Sequence, residues 1–220
     1  MMPHREARFG FLLAGLMAYL LLGPLARQLF GEMDGFVLMT ALSCILVVGI
    51  FTLQNSRALF GVGIGLAAIA ILFTVADVFV PQNDTLMLLL LVDILIFFCI
   101  SITLAVRNLF NEGPITINRL LGGICIYILL GMCWSIVYRF LIVWQPDSFA
   151  GLATHTADSA IFWDMIYFSF VTLTTLGYGD ITPTQPIARS LAYTEALTGQ
   201  LFIAILIGTL VGNIAGRLKR

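Results

Sequence analysis

Apolar residues fall along this chain in long blocks separated by short polar breaks. A helix of ~20 mostly apolar residues is long enough to cross the hydrocarbon core of a bilayer. Six stretches reach that length, about 9–30, 36–53, 58–80, 85–106, 120–144 and 188–213. The breaks between them carry turn chemistry: Gly31-Glu32-Met33-Asp34-Gly35, Gln54-Asn55-Ser56-Arg57, Pro81-Gln82-Asn83-Asp84 and Asn111-Glu112-Gly113-Pro114. The segment between the fifth and sixth blocks is different in kind. After the polar stretch from Gln145 to Ser159 comes an aromatic-rich run, Ala160 to Thr174, too short to cross a membrane. Asp158 or Ser159 can cap its first turn, and Asp164 suits the positive end of a helix. The pattern predicts an all-α membrane protein of six transmembrane helices plus one re-entrant helix over 159–174.

Composition removes the soluble alternative. Of 220 residues, 60% are apolar and 10% charged, with mean hydropathy +1.02. An average soluble domain carries about 25% charged residues. A net charge of −1 also excludes nucleic-acid binding through positive charge. The four cysteines, Cys44, Cys99, Cys125 and Cys133, lie in apolar runs without C-x-x-C spacing, which predicts buried packing. His4 and His155 form no ligand cluster in the sequence. Arg5 and Arg8 precede an apolar run too long for a signal peptide, with no A-x-A site after it, so the first block reads as a retained span.

An even number of spans puts both termini on one side, and basic residues choose that side. With the termini cytoplasmic, Arg5, Arg8, Arg57, Arg107, Arg119, Arg217, Lys219 and Arg220 are inside, against Arg27, Arg139 and Arg189 towards the outside. A multi-pass protein of the cell membrane is expected, with Glu32, Asp34, Asp84, Asp147, Asp158, Asp164 and Asp180 on the outer side, a face that would attract cations.

After the short helix the chain reads Thr172-Leu173-Thr174-Thr175-Leu176-Gly177-Tyr178-Gly179-Asp180. Two glycines flanking a tyrosine suit a backbone that alternates between left- and right-handed conformations. Such a backbone turns successive carbonyls to one side, which is tolerable at membrane depth only where they line a polar pathway. The C-terminal, partly negative end of the short helix would favour a cation there.

This stretch resembles the selectivity-filter signature of tetrameric potassium channels, T-x-T-T-x-G-Y-G-D, and matches every specified position from Thr172 to Asp180. The resemblance implies a homotetramer, each chain with three identical partners, set in membrane lipid without nucleic acid. It implies K⁺ as the permeant ion, no organic cofactor and no enzymatic activity. Thr175, Leu176, Gly177 and Tyr178 would offer carbonyls to K⁺, with the Thr175 hydroxyl, in place of its hydration shell. Gly177 and Gly179 would allow the backbone angles, and Thr174, Asp180, Tyr167 and Glu195 would support the filter (residues 175–179). Leu176 stands where the family most often has valine or isoleucine, a change that bears on filter rigidity. Asp180 in relatives bonds an aromatic of the pore helix, which here implies a Tyr167 hydroxyl bond. Gly199, nineteen residues after Asp180, falls where two-span bacterial relatives carry an inner-helix hinge. Close helix packing is the other reading of Gly199, and the expected one for Gly208, Gly212 and Gly216. Arg189 also falls at a matching arginine.

The six-span plan with a pore loop resembles the voltage-gated-like superfamily in architecture alone. Residues 1–110 would form a four-helix transmembrane domain, and 111–220 a pore domain of linker, outer helix, pore helix 159–174, filter 175–179 and inner helix. Voltage sensing needs regularly spaced arginines on the fourth span, since each charge moved yields about 2.3 kcal/mol per 100 mV. That span, from Thr85 to Val106, has no basic residue before Arg107. No nucleotide- or calcium-binding domain is expected beyond Arg220, and a leak-like or filter-gated conductance follows. Asp77, Asp93 and Glu195 are costly in a bilayer. Asp77 reads as structural at the outer interface, and Asp93 as one half of a buried pair with Arg27 or Arg139, or as a sensor. Glu195 would sit behind the filter, holding the pore helix or shifting filter occupancy. Trp134, Tyr138, Trp144, Phe162 and Trp163 read as interfacial belt or packing residues. A secondary cation transporter using the buried acids would need a second broken repeat, and none is present in the sequence; a non-conducting modulatory subunit is opposed by the intact signature.

Overall fold

A computed structural model of the chain describes residues 9–30, 41–45, 47, 57–80, 83–109, 116–152 and 158–218. The apolar blocks are helices: α1 (Phe9–Phe30), α2 (Arg57–Phe79), α3 (Asp84–Leu109), α4 (Ile117–Trp144) and α6 (Pro186–Leu218), with the short α5 (Asp158–Leu173) between the last two. The chain is a multi-pass membrane protein: among the described residues, α1, α3, α4 and α6 each contain a window long and apolar enough to cross a bilayer, and α2 is a further apolar helix. The expected span 36–53 lies outside the described residues, apart from a helical stretch at 41–45 and residue 47.

The turn chemistry acts where it was expected. Asn83 Oδ1 accepts the Thr85 and Leu86 amides at 2.9 and 3.2 Å, capping α3. Asn118 Oδ1, at the start of α4, accepts the Phe9 amide at 3.1 Å and ties the beginnings of α1 and α4 together. Fourteen residues on, Gly23 of α1 meets the indole of Trp163 in α5; an added Cβ would fall 2.2 Å from the ring. The two long helices therefore run the same way.

In a bilayer, helices associate through close packing more than through hydrophobic transfer. Gly131 of α4 lets the Phe170 ring of α5 close in, and Gly123 does the same for Leu206 of α6. One apolar core joins α1, α3, α4 and α5, with Leu16, Leu90, Phe97, Phe98, Leu129 and Phe162 fully buried. A second, smaller core at the far end of α4 is an edge-to-face triangle of Tyr138, Phe149 and Phe168, with centroids 5.0 to 5.6 Å apart.

Some expectations need correcting. The all-α architecture carries one small addition, an antiparallel ribbon of Phe149–Ala150 with Thr182–Pro183. Of the residues read as belt or packing, Tyr138, Phe162 and Trp163 take the packing role and are buried, while Trp144 is exposed. Cys44 and Cys99 are exposed rather than packed inside, since a thiol facing lipid needs no burial within the protein. Gly208 has open space around it, so no close contact within the chain requires that glycine.

Candidate functional site

The short helix α5 runs antiparallel to α4 and stops deep in the fold. Its last carbonyl, that of Leu173, accepts the Tyr127 hydroxyl at 3.1 Å. Tyr127 lies ten residues into α4, about 15 Å along a helix of 1.5 Å rise per residue. That places the end of α5 near mid-membrane, where free carbonyls are otherwise excluded.

From this point the backbone alternates in hand. Thr175, Gly177 and Gly179 have φ of +59°, +59° and +81°. The glycine requirement is conformational, because an added Cβ at Gly177 or Gly179 would meet nothing within 4 Å in this chain. Thr175 pays the steric cost that the two glycines avoid, of order 1–3 kcal/mol for a non-glycine residue. The alternation at Thr175 was not legible, since threonine gives no sign of positive φ.

Both Leu176 and Gly177 donate their amides to the Val171 carbonyl, at 2.9 and 3.3 Å, winding the strand tightly onto the end of α5. Among the described residues, the carbonyls of Thr175, Leu176, Gly177 and Tyr178 accept no hydrogen bond. A row of uncommitted carbonyls is the kind of group that can replace a cation's hydration shell.

The surroundings hold this strand from several sides. Thr174 Oγ1 donates to the Phe170 carbonyl at 2.6 Å. The Tyr167 hydroxyl donates to Asp180 Oδ2 at 2.7 Å, and its ring stacks on Tyr178 with centroids 6.5 Å apart and planes within 5°. That hydrogen bond holds the Asp180 carboxyl below the usual carboxylate range. Gly151, at φ +82°, lies so close to the Asp180 carbonyl that a Cβ would fall 1.8 Å from it. Thr184 donates its amide to Ser148 at 2.9 Å, and Arg189 Nε reaches the Pro183 carbonyl at 3.1 Å, closing the ribbon onto the strand's far end.

On the other side, α6 packs against the end of α5. A Cβ at Gly199 would fall 2.3 Å from the Leu173 carbonyl oxygen, so this glycine serves a close approach, and α6 runs unbroken through it. Next to it, Gln200 Nε2 donates to Thr175 Oγ1 at 3.4 Å. One turn earlier Glu195 is fully buried, bonded to Tyr138 of α4 and Ser169 of α5.

The other two acids stand apart. Asp93 is buried in α3 with Oδ2 unbonded, and it pairs with no cation among the described residues; Arg139 is therefore not its partner. The side chains of Asp77 and Arg27 lie outside the described residues. Tyr127, Ser169 and Gln200 were not expected at the site, and Tyr138 was read as a belt or packing residue. The signal available for each was a polar atom in an otherwise apolar helix.

An ion channel family matches residues 126–215, from a third of the way along α4 through most of α6. Over those residues the chain is similar to ion channels. The similar curated proteins are potassium channels. Two-pore potassium channel 4 of Arabidopsis thaliana is 32% identical over 89 residues, covering 40% of this chain and 27% of that protein. Two pore potassium channel c of Oryza sativa subsp. japonica is 39% identical over 69 residues, 31% of this chain and 14% of that protein. A voltage-gated potassium channel of Aeropyrum pernix is 31% identical over 91 residues, 41% of this chain and 27% of that protein. The chain thus spans about a quarter or less of the length of these relatives. No solved structure matches it. The similarity to ion channels bears out the expectation of a channel protein rather than an enzyme.

Proposed function

We propose that this chain is one subunit of a homotetrameric channel that conducts K⁺ passively and selectively. The observation that carries the reading is the alternation of left-handed φ at Thr175, Gly177 and Gly179 within the T-x-T-T-x-G-Y-G-D stretch. One strand presents its carbonyls to one side only, so a cage around an ion needs further copies about a common axis. Support for such copies comes from the exposed face beside the strand. Leu176 and Tyr178 are 56% and 67% exposed, and Tyr193, Leu197 and Leu201 on α6 are each about 60% exposed. Thr175, Leu176, Gly177 and Tyr178 would bind K⁺ in this assembly, Gly179 would complete the filter, and Thr174, Asp180, Tyr167 and Glu195 would support it. The hinge role of Gly199 belongs to this proposal, beside its observed close packing.

The division into a four-helix domain (1–110) and a pore domain (111–220) belongs to the same reading. Parallel α1 and α4, joined by short α2–α3 and α3–α4 connections, leave one crossing to be made between Phe30 and Arg57, as six spans require. The excess of basic residues puts both termini in the cytoplasm. With no basic residue in α3 before Arg107, conductance is leak-like or filter-gated, without steep voltage dependence.

The test is ion flux through purified protein in liposomes, K⁺ against Na⁺, with Ba²⁺ as blocker. Ba²⁺-sensitive K⁺ flux with little Na⁺ flux is expected. Equal permeability, or flux coupled stoichiometrically to protons, would overturn the reading.

A further inference from the structure

Three short oxygen–oxygen contacts meet behind the filter. Tyr138 Oη lies 2.6 Å from Glu195 Oε2, Ser169 Oγ lies 2.5 Å from Glu195 Oε1, and Ser169 Oγ lies 2.6 Å from the Gly131 carbonyl. Each separation is that of an O–H···O hydrogen bond, and each needs a proton between its oxygens. Hydroxyls bring one proton apiece and a carbonyl brings none. Tyr138 fills its own contact. Ser169 takes part in two contacts and can fill only one. If it donates to Glu195, the Ser169 and Gly131 oxygens face each other at 2.6 Å with no proton between them. The count closes when Ser169 donates to Gly131 and the carboxyl supplies the remaining proton.

We propose that Glu195 is held as a neutral acid, with its proton on Oε1 donated to Ser169 Oγ, and that it acts as a positioning residue for the filter. The chain of donors runs from Glu195 on α6, through Ser169 on α5, to Gly131 on α4, while Tyr138 on α4 closes the loop from the other oxygen. Its location gives it leverage. Ser169 stands four residues before Leu173, and Glu195 four before Gly199, so the clamp lies one helical turn above the contact between Leu173 and Gly199. Thr175, two residues past Leu173, and Gln200, the residue after Gly199, bond to each other.

The titratable groups facing Glu195 are Tyr138 and Tyr127, both on α4, while α5 offers it the Ser169 hydroxyl. Among the described residues, the bonds to Glu195 come from Tyr138 and Ser169, neither of them a cation. A carboxylate here would be buried with no counter-charge, and two protons would remain for three contacts. One contact must then open, freeing α5 from α4 or from α6. Raising the pH enough to remove the proton should loosen the base of the filter.

The functional consequence rests on the channel reading; the proton itself does not. Infrared difference spectra of the purified wild-type protein and Glu195→Gln, both in lipid at neutral pH, test the proton directly. Loss of a protonated-carboxyl C=O band in Glu195→Gln is expected, and loss of carboxylate bands alone would overturn the proposal. If Glu195→Gln does not assemble, Ser169→Ala serves instead: it should shift that band, and an unmoved band would contradict the proton's placement. For the positioning role, K⁺ flux is followed from neutral to alkaline pH. Wild-type flux should fall about tenfold as one contact opens. Glu195→Ala should lose flux throughout, and Glu195→Gln, whose amide can donate to Ser169, should restore it with a flat profile. A wild-type profile as flat as that of Glu195→Gln would remove the role. Absence of K⁺ flux from wild type would refute the channel reading instead, leaving the infrared band to judge the proton.

Discussion

The helices up to Leu109 and those from Ile117 onward are equally apolar but are held together differently. In the first region an apolar core carries most of the packing, and the one buried acid with an unbonded oxygen, Asp93, has no partner among the described residues. In the second, the polar side chains of Tyr127, Tyr138, Tyr167, Ser169, Glu195 and Gln200 are all bonded, and all within one or two turns of the filter strand. The difference follows from the backbone. Regular helices satisfy their own amides and carbonyls, so α1 to α3 need only close packing. The strand after Leu173 leaves its carbonyls uncommitted, and its shape must be imposed from outside.

The contrast predicts a graded set of effects. The largest belongs to Gly199→Val, whose side chain must occupy the position of the Leu173 carbonyl oxygen. Overpacking of this kind costs about 1–3 kcal/mol or more, and here the backbone cannot yield without moving the filter. Loss of the assembled channel on size-exclusion chromatography is expected; a wild-type elution profile with normal flux would break the contrast.

Next comes Tyr138→Phe, which leaves Glu195 Oε2 buried without its donor. An unsatisfied buried acceptor costs about 1–3 kcal/mol. A lower unfolding temperature in lipid or detergent is expected, together with reduced K⁺ flux.

A smaller effect is expected from Tyr167→Phe, because the bond to Asp180 is exposed. Current should decay faster under sustained conduction, with the assembly intact; wild-type currents would remove the support role. The bond also sets an acid limit. Asp180's carboxyl titrates below its ordinary range in the folded protein, so the bond contributes fully above about pH 3.9, the unperturbed value. It is lost as pH falls through the lower native value. Tyr167→Phe should abolish any acid-induced decay that arises from this pair.

The smallest effect on conduction is expected from Asp93→Leu. Removing an unbonded buried carboxyl should leave flux unchanged and raise thermal stability, by about 1 kcal/mol if half-compensated. A loss of flux would show that Asp93 has a role in the pore, and would sharpen the comparison by moving the boundary into α3.

How much of this was legible follows the same division. Apolar block length located α1, α2, α3, α4 and α6 to within a few residues, because the bilayer fixes helix length. The glycines at 177 and 179 signalled the left-handed backbone, and the aromatic run located α5, which spans Asp158–Leu173 where 159–174 was expected. The bond between Tyr167 and Asp180 was implied by the resemblance, in which the acid after the signature bonds an aromatic of the short helix. The clamp at Glu195 was only half legible. The acid was conspicuous, but Tyr138, Ser169 and Gly131 are distant in sequence and join it only through antiparallel packing of α4 and α5. The ribbon of Phe149–Ala150 with Thr182–Pro183 is two residues per strand and carries no periodicity to detect.

The central claim concerns four strands facing one axis. Anomalous scattering from Rb⁺ or Tl⁺ in crystals of the assembled channel tests it directly. Ion peaks on a fourfold axis, level with the carbonyls of Thr175, Leu176, Gly177 and Tyr178, are the expected result. Ions absent from that axis, or an assembly without fourfold symmetry, would contradict it.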